Sequence, residues 1–328
     1  MEAFISFIST YFPEKSLNNE DLSLLFPEWS AEKIEAKTGV FNRHESADDE
    51  FSTDMAVKVG EKLFAEYDVS PSQIDFVLLC TQSPDYFLPT SACIIQDKLG
   101  IPNRAGAFDF NLGCSGFVYG LAIAKGFITA GIANNVLLIT SETYTKFIHE
   151  SDRGNRTIFG DGAAATIISS KKGFAKIGDF VLGTDGNGAE NLIVKRGGIR
   201  YQKTNDILLK NENHLHMNGP EIFNFTSKMV PIMIDELMQK VDLKSDEIRM
   251  FILHQANEFM LNHIRKKIDI PISRFYNNLR DCGNTVSSTI PIALKDVMKG
   301  EDIKRNDKLL LAGFGVGYSW ASTIITIQ

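Results

Sequence analysis

Three side chains in this sequence stand where chemistry could be done: Cys114, His254 and Asn284. Cys114 lies in Phe108-Asp109-Phe110-Asn111-Leu112-Gly113-Cys114-Ser115-Gly116-Phe117, where a short apolar strand breaks at a polar turn and an Ala/Gly-rich helix begins. That context predicts a thiol at a helix N-terminus, where unpaired N–H groups and the positive end of the dipole favour a thiolate. Gly113 and Gly116 predict room for an acyl group and close backbone approach. His254 ends the apolar run Met250 to Leu253 and precedes Gln255-Ala256-Asn257. Its imidazole should therefore emerge at the C-terminal edge of a sheet, where reacting groups collect in α/β folds. Asn284, in Asp281-Cys282-Gly283-Asn284-Thr285-Val286-Ser287-Ser288-Thr289, would by itself be turn chemistry. Beside a thiol and an imidazole it completes a set that can accept an acyl group and polarise a second carbonyl. Cys282 is the weaker nucleophile, with no helix start after it, and the other five histidines lack a strand-end context.

The elements that must position these residues follow from apolar patterning. Ile74 to Cys80 and Val136 to Thr140 are short, nearly continuous apolar runs, as expected of strands covered on both faces. Helical stretches are predicted over Ser91 to Leu99 and Ser115 to Ala130, and alternating strand and helix favours a layered α/β sheet. The second half repeats the order. Ile74 to Leu79 resembles Ile248 to Leu253, and the Gly-rich turn and strand Gly160 to Ile168 resembles Gly315 to Ile325. Two similar halves imply a pseudo-twofold core with a site between them. The polar stretch Gly183 to Met217 is expected to be the connection between halves plus surface loops, shaping an entrance.

With 328 residues and 44% hydrophobic content the chain can bury a large core. Its net charge of -7, with no long basic run, argues against a dedicated nucleic-acid binder. No apolar stretch is long enough to span a bilayer, and the first residues do not read as a signal peptide, so a cytoplasmic location is expected. Cys80, Cys93, Cys114 and Cys282 show no paired spacing, which points to reduced thiols without a structural metal.

The chain resembles the ketoacyl synthase III enzymes of the thiolase superfamily. The likeness rests on Thr38-Gly39-Val40 with Arg43-His44, the Cys114 turn, Asp152-Arg153-Gly154 followed by Phe159-Gly160-Asp161-Gly162-Ala163, His254-Gln255-Ala256-Asn257, Gly283-Asn284-Thr285, and Gly313-Phe314-Gly315-Val316-Gly317-Tyr318-Ser319-Trp320. It implies a thiolase-like α/β fold with a layered α-β-α-β-α core, residues 1–175 carrying the cysteine and residues 176–328 the histidine and asparagine.

The implied reaction is a decarboxylative condensation. Cys114 takes an acyl group from coenzyme A, with the backbone N–H groups of Cys114 and Val316 holding the oxyanion. His254 and Asn284 bind the carbonyl of a malonyl thioester on coenzyme A or a carrier protein, and a 3-oxoacyl product leaves. Coenzyme A is a substrate, and neither a metal nor a permanent cofactor is implied. Trp29, Lys37, Arg153 and Asn257 are expected to line the coenzyme A site, and Arg265, Lys266 and Lys267 to face an acidic carrier protein. A homodimer is expected, with Leu88 closing the acyl pocket of the other subunit. Leu88 is smaller than the phenylalanine common there, which predicts room for a longer or branched acyl chain.

Departures from the resemblance are Lys33 where a tryptophan is usual, with Trp29 one helical turn away, Phe259 in place of an arginine, and Asn224 in place of a lysine. They motivate a same-fold transfer of the acyl group to oxygen or nitrogen as the alternative, whereas a non-catalytic partner subunit is disfavoured by the presence of all three of Cys114, His254 and Asn284. Asp85 and Glu142 are candidates for an acid or base in a variant reaction, against a plain reading as loop charges.

Overall fold

The apolar run at Ile74 to Cys80 forms a strand over Phe76–Cys80, and its side chains divide between two cores. Leu78 packs into one, Val77 and Leu79 into the other. A strand with no polar face is one covered on both sides by helices.

The computed structural model describes residues 1–201, 213–300 and 302–328. In chain order the first half comprises β1 (Phe4–Tyr11), β2 (Ser16–Asn18), α1 (Asn19–Leu25), α2 (Ala31–Thr38), β3 (Asn42–His44), α3 (Ser52–Tyr67), β4 (Phe76–Cys80), α4 (Ser91–Lys98), β5 (Gly106–Phe110), α5 (Gly116–Thr129), β6 (Asn135–Glu142), α6 (Arg153–Arg156) and β7 (Gly162–Ser169). The second comprises β8 (Ala175–Thr184), β9 (Leu192–Val194), β10 (Leu215–Met217), α7 (Gly219–Lys240), β11 (Ile248–Leu253), α8 (Glu258–Lys267), α9 (Thr289–Val297), β12 (Lys308–Gly315) and β13 (Ser319–Ile327).

The doubled order foreseen in the sequence is present in the sheet. Its strands run β11-β12-β13-β8-β1-β7-β6-β4-β5. β4 is parallel to β6, β6 antiparallel to β7, and β7 antiparallel to β1. In the other half β11 is parallel to β12, β12 antiparallel to β13, and β13 antiparallel to β8. The counterpart of β5 is reduced to a single bridge between Phe251 and Phe275. The halves join where β1 pairs with β8 at Phe4/Lys176 and Ile5/Ala175.

Helices α5 and α9 pack on strands of both halves, so one core contains Leu78 and Leu138 from the first and Ile252 and Leu311 from the second. Helices α3 and α4 cover the outer face of the first half, and α7 and α8 that of the second. The result is the expected α-β-α-β-α layering. Truncating fully buried Leu138 to alanine should cost about 2–5 kcal/mol.

Two expectations change. Gly116 leaves no space for an acyl group, since a Cβ there would lie 2.2 Å from the Cys80 sulfur. One on Gly113 would meet Gln82 Oε1 at 2.5 Å. Both glycines serve close packing under the thiol. The connection from Gly183 to Met217 is also more than surface: β9 and β10 pair, and Leu192 and Leu215 are buried in the cluster around Cys114. Residues 202–212 of it lie outside the described residues.

Candidate active site

Cys114 follows β5, and its helix begins two residues later at Gly116 with Ser115 as N-cap. The thiol is 7% exposed. The N–H groups of Cys114 and Val316 bear on its sulfur and pull its pKa down, but burial and the nearby Glu142 dominate and push it up to about 12. This corrects the expectation of a standing thiolate, because desolvation of the charged form outweighs the helix start. Gly315 brings β12 against the site: a Cβ on it would lie 2.9 Å from the Cys114 sulfur. Only a residue without a side chain lets the Val316 N–H approach from there.

His254 leaves the end of β11 and donates its backbone N–H to Ala312 O at 2.8 Å. Its ring lies edge-on to Phe314, with centroids 5.6 Å apart, and its Nδ1 is 2.7 Å from Thr289 Oγ1. Burial lowers its pKa to about 3, so the imidazole is neutral across the physiological range.

Asn284 is held by the other half of the molecule. Its N–H donates to Ile158 O at 2.9 Å, and its carbonyl accepts from Gly160 N–H at 3.1 Å. The side-chain Oδ1 accepts the Val286 N–H at 2.9 Å, while Nδ2 donates to Ala256 O at 3.4 Å. With Oδ1 occupied, the amide has one N–H left to offer. Val286 adopts φ 54°, a left-handed conformation that a β-branched residue resists at a cost of about 1–3 kcal/mol.

All three residues line one chamber of about 180 Å³, walled also by Tyr144, Phe159 and Leu192. Ile158, Met217, Gly219, Asn257 and Met260 border both this chamber and a channel of about 1230 Å³ that reaches Trp29, Lys37 and Lys266. Thus the sequence-predicted trio, which spans the chain from Cys114 to Asn284, meets where a long arm could arrive from the surface.

At the outer end the Arg153 guanidinium lies 4.5 Å from the Trp29 ring centroid, and Arg153 also pairs with Glu28. Lys37 Nζ is 4.5 Å from the same ring. Trp29 therefore takes the place beside Arg153 even though Lys33 occupies the usual tryptophan position. Asn257 caps α8, accepting the Met260 N–H at 2.9 Å, and lines the passage.

The basic run of α8 divides. Lys266 lines the channel, but Arg265 donates to Ile270 O at 2.9 Å and Lys267 to Ser227 O at 2.8 Å. Within the expected three-residue basic face, Lys266 lines the channel, while Arg265 and Lys267 each hold a carbonyl of their own chain. Leu88 is 82% exposed and does not border the chamber of its own chain. Phe259 lies at the channel wall, with its ring 5.6 Å from Phe223.

Glu142 is no loop charge. It is wholly buried and accepts from Ser287 Oγ at 2.7 Å and from Gln82 N–H at 3.0 Å. Burial nevertheless lifts its pKa to about 8. Asp85 instead accepts the Thr53 N–H at 3.2 Å beside the start of α3. Sequence reasoning missed Thr289, Tyr144 and Gln82. Thr289 ends a hydroxyl run three residues after strained Val286, a faint signal; Tyr144 and Gln82 carried none. Among the described residues no group of three or more His, Cys, Asp or Glu side chains could hold a metal ion, and no helix is long and apolar enough to cross a membrane.

Comparison with known proteins agrees with this geometry. The family model described as 3-oxoacyl-[acyl-carrier-protein (ACP)] synthase III matches residues 108–186, and its C-terminal counterpart matches residues 224–327. The chain is 37% identical over 317 residues to beta-ketoacyl-[acyl-carrier-protein] synthase III of Clostridium perfringens, covering 97% of each chain. It is 34% identical to that of Chlamydia muridarum, covering 99% of each. A crystal structure of a 3-oxoacyl-(acyl-carrier-protein) synthase III superposes with a TM-score of 0.95 at 47% identity, over 100% of both chains. The priming beta-ketosynthase of the R1128 polyketide biosynthetic pathway superposes with a TM-score of 0.90 at 26% identity, over 99% of this chain and 96% of the other.

Proposed function

The chain belongs to the 3-oxoacyl-[acyl-carrier-protein] synthase III family, and from that premise we propose that Cys114, His254 and Asn284 carry its reaction. That reaction is the decarboxylative condensation of an acyl-coenzyme A primer with a malonyl thioester on acyl carrier protein, in fatty-acid synthesis.

In the first half-reaction the Cys114 sulfur attacks the acyl thioester carbonyl. The N–H groups of Cys114 and Val316, which already bear on the sulfur, receive the oxyanion. The Cys114 proton leaves with the departing coenzyme A thiol, so the buried thiol need never stand as a thiolate. The acyl group is left as a thioester in a chamber with little room for water.

In the second, the malonyl thioester carbonyl accepts from Asn284 Nδ2–H and from His254 Nε2–H. A neutral imidazole has its proton at Nε2 when the Thr289 hydroxyl donates to Nδ1, an arrangement that the 2.7 Å contact allows. Two neutral donors in a buried site stabilise the enolate as carbon dioxide leaves. The enolate carbon attacks the acyl-Cys114 carbonyl, the same N–H pair holds the second oxyanion, and expulsion of the Cys114 sulfur releases the 3-oxoacyl product while the thiol regains a proton.

At the channel mouth, Trp29, Arg153 and Lys37 receive the nucleotide end of coenzyme A, and Asn257 lines the path of the arm. Lys266 on α8 lies at the channel, where it can meet an acidic carrier protein. The active unit is a homodimer. Its support is the edge strand β5, which has no neighbour beyond it among the described residues, and the exposed run Tyr86, Phe87 and Leu88.

The observation that carries the reading is the convergence of Cys114, His254 and Asn284 on one chamber at the end of a channel. Its test is incubation with acetyl-coenzyme A and malonyl carrier protein. Carbon dioxide and a 3-oxo product should form, and Cys114→Ala should abolish acylation; turnover without carbon dioxide release would refute condensation.

A further inference from the structure

One end of the chamber is unused by the polar groups of the reaction. Tyr144, Phe159 and Leu192 wall the chamber beside Cys114 but do not border the channel, so they form its blind end. Tyr144 is 4% exposed, with its ring 5.1 Å from Phe159 and edge-on to Phe147 at 5.7 Å. A large aromatic side chain thus stands where the tail of an acyl group on Cys114 would extend.

That ring is backed by groups which are themselves tied down. Its hydroxyl donates to Gln82 Oε1 at 3.4 Å. The Gln82 amide donates to Asn111 Oδ1 at 3.3 Å, and its backbone N–H is bound by the Glu142 carboxyl. Displacing Tyr144 outward would disturb this polar set, whose buried members lose hydrogen bonds that water cannot replace.

Volume points the same way. The chamber is small, about 180 Å³ against about 1230 Å³ for the channel, and the incoming thioester must share it. We propose that Tyr144, backed by Gln82, ends the acyl site and restricts the primer on Cys114 to a short, unbranched acyl group. The proposal rests on Cys114 as the acyl-carrying residue and narrows its cargo. It stands against the expectation of a longer or branched acyl chain drawn from Leu88 of the other subunit.

The test is the rate of mass gain at Cys114 with acetyl-, butyryl- and octanoyl-coenzyme A, for the wild type, Tyr144→Leu and Tyr144→Ala. In the wild type, octanoyl transfer should be at least about 100-fold slower than acetyl transfer, and Tyr144→Ala should narrow that gap to about tenfold or less. Equal rates for acetyl and octanoyl in the wild type would overturn the proposal, as would an unchanged gap in a folded Tyr144→Leu or Tyr144→Ala. Wild-type rates decide even if the alanine variant fails to fold. No mass gain from any donor would instead remove the premise about Cys114, and the proposal with it.

Discussion

The Thr289 hydroxyl lies 2.7 Å from Nδ1 of His254 and 3.0 Å from the carbonyl oxygen of Val286, so one proton has two acceptors. Donated to Nδ1, it leaves the His254 proton on Nε2; donated to Val286, it leaves Nε2 bare. Thr289 thus couples the strained Asn284–Val286 turn to the tautomer of the histidine.

Thr289→Val removes the hydroxyl at nearly constant volume. Condensation should slow by about 10–100-fold through loss of the oriented tautomer, while acylation of Cys114 from acyl-coenzyme A continues. Single-turnover rates of the two half-reactions check this, and Thr289→Ser should restore most of the loss. Equal slowing of both halves would argue for a general disturbance instead.

The reactivity of Cys114 should reflect a buried thiol with a pKa near 12. Alkylation by a small haloacetamide, followed at the Cys114 peptide, should accelerate about tenfold per pH unit through pH 9. A plateau below pH 8 would mean that the helix start outweighs burial after all.

Two buried groups tilt stability in opposite directions with pH. His254, at about 3 when folded and near 6.5 when unfolded, contributes fully above 6.5 and progressively less as pH falls toward 3, because only the unfolded chain takes the proton. Glu142, at about 8 when folded against 4.5 unfolded, contributes fully below 4.5 and loses its contribution as pH rises through 8. Glu142→Gln should flatten the decline between about pH 4.5 and 8, whose slope is at most about 1.4 kcal/mol per pH unit. Denaturant melts from pH 4 to 9 on both proteins measure the difference.

Trp29 carries the Arg153 guanidinium on its face. Trp29→Ala should raise KM for acyl-coenzyme A about tenfold with little change in kcat, since the lost contact is made equally in ground and transition states. A matching fall in kcat would place Trp29 in the chemistry rather than in binding.

How much of this was legible varies by residue. Cys114, His254 and Asn284 stand at a strand-to-helix break, a strand end and a glycine turn, and such punctuation survives in one dimension. The doubling of Ile74 to Leu79 in Ile248 to Leu253 likewise disclosed two halves, because strands covered on both faces must be apolar throughout. Trp29 was harder: a count of residues placed Lys33 at its position, whereas the fold brings Trp29 itself to Arg153.

By itself, then, the sequence determined the candidate trio, its strand edges and the repeated order of elements, since these are written in local periodicity and turn residues. Tertiary structure alone decided that burial keeps Cys114 protonated, that Lys266 but not Arg265 or Lys267 lines the channel, and that Tyr144 walls the chamber. Desolvation, occupied hydrogen bonds and excluded volume are sums over segments distant in the chain, and no local pattern contains them.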